Sequence, residues 1–70
     1  MSTANDPVHT GTVTEALPNQ QFRVHDGYNV IRCYVAGKLK VAKVRILIGD
    51  RVQFVLPKNS EVGRIVYRTR

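Results

Sequence analysis

Seventy residues make one domain, and a chain this short buries only about 60% of the surface its unfolded form exposes. Hydrophobic residues at 43% and charged residues at 23% give a globular balance rather than a disordered one, and no apolar run nears the ~20 residues of a membrane span. Eleven Lys and Arg against five acidic residues leave a net charge of +6, an excess that acts on association rather than fold and in so small a domain points to nucleic acid.

Residues 1–7 are small and polar and end in Pro7, which predicts a flexible N-terminal segment ahead of a folded domain at 8–70. Val8 to Leu17 alternates loosely and is rich in β-branched residues, with Gly11 suggesting a bulge or sharp bend. Leu17-Pro18-Asn19 marks a turn. Gln21 to Asp26 resumes a period of two, Phe22 and Val24 facing one way and Arg23 and His25 the other. Gly27-Tyr28-Asn29 closes a hairpin onto Val30 to Val35, where Ile31, Cys33 and Val35 lie on one side and Val30, Arg32 and Tyr34 on the other. Leu39 to Val44 has room for about one or two helical turns, too few to stand alone. After a turn at Gly49-Asp50, Arg51 to Leu56 alternates with Val52, Phe54 and Leu56 inward. Pro57 to Ser60 is a loop, and Val62 to Arg68 is the last strand.

Five short strands with inward alternation close most readily into a small barrel, which removes exposed edges. A longer, partly helical connector between the third and fourth strands favours the all-β OB-fold over an SH3-like barrel. In the OB-fold, the second and third strands and the flanking loops bind oligonucleotides.

The connector is the most basic stretch. Between Ala36 and Asp50, Lys38, Lys40, Lys43 and Arg45 stand among apolar residues. Val44 and Ile46 flank Arg45, so burial on both sides anchors its backbone and lets a planar guanidinium hold phosphate or a guanine edge. Arg23, Arg32 and Tyr34 share an outward face of the second and third strands with His25, offering phosphate contacts and a stacking platform. Arg64 and Arg68 share a face of the last strand and extend the basic surface; Tyr67 alternates to the opposite, inward face. If five or six of these cations touch phosphates, log affinity falls with log salt at a slope of roughly −3 to −5.

Catalysis has little to build on. Cys33 is the only cysteine; it excludes an internal disulfide, and on the apolar face of its strand it reads as a small buried thiol. With no signal-peptide pattern, a lone cysteine predicts a reducing cytoplasm. His9, His25 and Cys33 lack metal-ligand spacing, the acidic residues are scattered, and no phosphate-cradling glycine motif occurs. The expectation is no enzyme, no metal and no cofactor.

Five segments, in order, resemble bacterial translation initiation factor one: Gly11-Thr12-Val13, Leu17 to Val24 (LPNQQFRV), Gly37-Lys38-Leu39-Lys40, Val44 to Val52 (VRILIGDRV) and Gly63 to Arg68 (GRIVYR). Each is weak alone; together, from His9 to Arg70, they are specific. The resemblance implies a cytoplasmic, monomeric, non-membrane OB-fold protein that binds the small ribosomal subunit at the aminoacyl-tRNA site. There it contacts the rRNA decoding region and a neighbouring ribosomal protein, blocks premature tRNA entry and supports the other initiation factors. It further implies that Lys38, Lys40 and Arg45, with Arg64 and Arg68, are rRNA contacts. The chain departs from the family pattern at Val41, Lys43, Val62 and Tyr34-Val35-Ala36, and its loops near Gly27 and at Pro57–Glu61 are shorter. A general single-strand RNA or DNA binder of cold-shock type is the alternative, and a protein-interaction barrel a third; the cold-shock reading requires a dense row of surface aromatics.

Overall fold

The computed structural model describes residues 7–69. The segment expected to be flexible, 1–7, lies outside the described residues except for Pro7, as does Arg70. The strands are β1 (Val8–Leu17), β2 (Gln21–His25), β3 (Val30–Val35), β4 (Arg51–Val55) and β5 (Val62–Arg68), with one short helix, α1 (Gly37–Val41), between β3 and β4.

The strands close in the order β1-β2-β3-β5-β4, β4 returning to β1. All pairings are antiparallel except β3 with β5. This is the five-stranded OB barrel expected from the alternation. β1 serves two neighbours: its first half pairs with β4 and its second with β2, and Thr12 stands opposite both Arg51 and His25. The chain must bend sharply there, and Gly11 permits it. A Cβ at Gly11 would stand 2.6 Å from Val24 Cγ1 and 2.8 Å from the His25 carbonyl oxygen, closer than atoms can pack. Gly11 therefore marks a bend and a close approach, while the β1 bulge falls at Thr14, between Val13 and Glu15.

The barrel interior holds Val13, Val24, Cys33, Val52, Phe54 and Ile65, all essentially excluded from solvent. Leu39 and Ile46 join the same buried cluster, and Phe22, Ile31, Val44 and Leu56 pack against it. β2, β3 and β4 contribute the sides predicted from their period of two, with Val55 of β4 buried as well; β5 departs from its predicted side. In β5 an extra residue, Val66, is inserted: Phe54 stands opposite Ile65 while Gln53 stands opposite Tyr67. That slip turns Tyr67 outward, 56% exposed, against the expected inward position, and it sets Arg68, opposite Val52, on the other side of the strand from Arg64, opposite Val55, against the expected shared face. Alternation read along a sequence carries no sign of an inserted residue.

The helix also sits earlier than the expected Leu39–Val44. Its placement is tertiary: the Ala36 N–H donates to the Ile65 carbonyl at 2.9 Å, delivering the chain from β3 onto β5, and Leu39 turns inward. Among the described residues, no helix is long and apolar enough to cross a membrane.

Candidate nucleic-acid interface

The connector's cations begin on α1 and continue beyond it. Lys38, Lys40, Lys43 and Arg45 are all exposed. Lys38 lines a shallow cleft of about 360 Å³ with Ala36, Val55 and Arg64. Lys40 lines another, of about 410 Å³, with Lys43 and Arg45. α1 thus stands between two cationic clefts.

The larger of these has an apolar floor of Phe22, Val35, Val44 and Ile46 under its cationic rim. That combination suits an unstacked base lying on carbon while its phosphates meet Lys and Arg. In the smaller cleft the Arg64 Nε is buried without a hydrogen-bond partner, the one such side-chain N or O among the described residues. A buried N–H left unpaired is costly.

Lys43 owes its position to the helix end. The Val44 N–H donates to the Leu39 carbonyl (3.1 Å) and the Lys43 N–H to the Lys40 carbonyl (3.0 Å), which is the Schellman arrangement. It requires a left-handed residue, and Lys43 supplies it with φ 58°. Glycine holds that position without the Cβ penalty. Lys43→Gly is expected to raise stability by about 1 kcal/mol in a denaturant titration while weakening RNA binding. Lower stability in that variant would contradict the capping role.

Burial anchors Arg45 as its neighbours predicted: Ile46 is buried and Val44 packs on the core. A further tie was not legible in sequence. Arg68 Nη1 donates to the Arg45 carbonyl at 2.6 Å and lies 3.7 Å from Asp50 Oδ2.

The second group stands on the outer face of β2 and β3. Arg23 and Arg32 are directly opposite each other, and Tyr34 is opposite Gln21. Both arginines line an open cleft of about 640 Å³ with Glu61 and Val30. Like charges placed opposite each other repel; the Arg23 Nε finds Glu15 Oε1 at 2.9 Å, whereas Arg32 forms no ion pair among the described residues. Below this face, Asp26 Oδ1 accepts from the Tyr28 and Asn29 N–H groups, each at 2.8 Å. Those bonds, Asn29's foremost, hold the carboxyl below its ordinary pKa and shape the hairpin tip.

Cys33 is fully buried, and burial pushes its thiol up to about 12, only partly offset by the Gly63 N–H. It is a poor nucleophile. Among the described residues, no three His, Cys, Asp or Glu side chains are grouped to hold a metal ion.

No family model matches the chain. Among curated proteins, the chloroplastic translation initiation factor IF-1 of Vitis vinifera is 46% identical over 65 residues, covering 90% of this chain and 84% of that protein. The chloroplastic IF-1 of Daucus carota is 45% identical with the same coverage. Among solved structures, translation initiation factor one from the Wolbachia endosymbiont strain TRS of Brugia malayi superposes with a TM-score of 0.78 at 38% identity, over 97% of this chain and 83% of that one. YjeQ from Thermotoga maritima matches with a TM-score of 0.77 at 26% identity over 91% of this chain, but over only 23% of its own length.

Proposed function

The chain belongs to the translation initiation factor IF-1 family, and from that premise we propose that it binds the small ribosomal subunit at the aminoacyl-tRNA site. The observation that carries this is the connector: four exposed cations, two on α1 and two beyond it, on a backbone fastened to the barrel. A cluster held in place loses less freedom on binding than a mobile tail of equal charge.

In this reading Lys40, Lys43 and Arg45 grip rRNA of the decoding region, with one unpaired base on the apolar floor between them. Lys38 and Arg64 take a neighbouring phosphate. Arg23, Arg32 and Tyr34 form a second contact face, toward rRNA or a neighbouring ribosomal protein. Occupying the site keeps tRNA from entering early and supports the other initiation factors, without enzymatic chemistry. The protein acts as a monomer in the cytoplasm.

The cold-shock alternative gains one observation, because Tyr28, Tyr34 and Tyr67 are all exposed. They stand on a hairpin tip, on β3 and on β5, however, and do not form a stacking row. Binding of labelled protein to purified small subunits and to poly(U) and poly(A), at one salt concentration, separates the two readings. Homopolymer affinity about a hundred-fold or more below subunit affinity is expected. Comparable affinities would favour the general single-strand binder.

A further inference from the structure

We propose that Asp50 and Arg68 form a clasp that sets the position of Arg45, so that Arg68 is a positioning residue rather than a phosphate contact; this rests on the RNA-binding reading above. Burial of Val44 and Ile46 fixes the inward side of the connector but leaves the Arg45 carbonyl to be satisfied. Arg68, from the end of β5, donates to it at 2.6 Å, and a guanidinium donor makes this a strong, charge-assisted bond.

Arg68 is itself aimed. Asp50 Oδ2 lies 3.7 Å from the same Nη1 and accepts from the Leu47 N–H at 2.9 Å. The Asp50 backbone is in turn tied to β1. Its carbonyl accepts from the Val13 N–H at 2.9 Å, and the adjoining Gly49 N–H donates to the Val13 carbonyl at 2.8 Å. The chain of contacts therefore runs from β1 through Asp50 and Arg68 to the Arg45 peptide. Asp50 is only 18% exposed and Arg68 36% exposed at the side chain, so the pair is partly shielded from solvent. Both contacts engage the same nitrogen, Nη1, so the clasp fixes where the guanidinium lies and leaves only its other N–H groups to turn outward.

The two roles predict opposite signs for one substitution. Asp50→Asn retains an oxygen for the Leu47 N–H but removes a negative charge beside Arg68. If Arg68 binds phosphate, losing the competing carboxylate strengthens RNA binding. If Arg68 is a clasp, Asp50→Asn weakens binding about five- to ten-fold despite the gain in net positive charge.

The measurement is affinity for purified small subunits at several salt concentrations, with wild type, Arg45→Ala, Asp50→Asn, Arg68→Gln and the Arg45→Ala/Asp50→Asn pair. Expected are weaker binding by Asp50→Asn, no further loss from Asp50→Asn in the Arg45→Ala background, and an unchanged salt slope for Arg68→Gln. A general loss of structure would instead lower affinity in both backgrounds. Melting temperatures and amide exchange at Ile46 and Leu47 distinguish a loosened connector from an unfolded barrel.

Tighter or unchanged binding by Asp50→Asn, or a slope reduced by about 1 in Arg68→Gln, overturns the clasp while leaving the RNA reading intact. Equal binding by wild type and Arg45→Ala removes Arg45 from the interface and overturns the clasp's purpose with it.

Discussion

Phe54→Ala is expected to lower the free energy of unfolding by about 3–5 kcal/mol. Phe54 is fully buried on β4, between β1 and β5, and is the largest fully buried side chain of the core. The His9 ring stacks on it, with centroids 5.4 Å apart and planes inclined by 25°. From the other side β5 passes so near that a Cβ at Gly63 would stand 3.1 Å from Phe54 Cδ2 and 2.9 Å from Cys33 Sγ. Strands held by a closed ladder can collapse only partly into the space a phenyl ring leaves, so much of the cavity term persists. A domain of this length has about 4–10 kcal/mol of stability in all, and the variant is therefore expected to be substantially unfolded near 37 °C. Chemical denaturation followed by circular dichroism measures this. Phe54→Leu, which keeps most of the volume, is expected to cost about 1.5 kcal/mol or less. A loss below about 1 kcal/mol for Phe54→Ala would mean that the ring does not organise the core.

The largest functional effect is expected from Lys40→Ala/Lys43→Ala/Arg45→Ala. These three side chains surround one cleft, so they act on the same length of RNA backbone. Each phosphate contact contributes about 0.7–0.9 to the slope of log affinity against log salt. Removing three reduces the slope's magnitude by about 2–3, and at ~0.1 M salt it lowers affinity by about a hundred-fold or more. All three side chains are exposed, and Lys43→Ala retains the left-handed strain already present, so melting temperature should change little. A triple variant with wild-type slope would place the RNA elsewhere on the barrel.

Much of the barrel was legible because its strands are short and amphipathic. In Val30–Val35 and Arg51–Val55 the inward Ile31, Cys33, Val52 and Phe54 recur at every second position, mostly between Arg, Tyr and Gln, and turn residues bound each run. The misses have physical causes. The inserted Val66 leaves no trace in a run of apolar and charged residues, yet it turns Tyr67 outward. Gly37 opens α1 although glycine is a poor helix former, because the Ala36–Ile65 hydrogen bond and the buried Leu39 outweigh propensity. Lys43 ends the helix in a conformation that sequence rules reserve for glycine or asparagine. The exposed connector cations follow from charge and anchoring alone. The engagement of Arg68 with Arg45 and Asp50 does not, since residues so far apart in sequence meet only once β5 has closed beside β4.

Chemical footprinting of purified small ribosomal subunits, with and without the protein at two salt concentrations, tests the proposed site most directly. Protection confined to the rRNA decoding region, weakened at high salt and lost with the Lys40, Lys43 and Arg45 triple variant, is the expected result. No protection, or diffuse protection along exposed single strands that survives loss of those three cations, would contradict it.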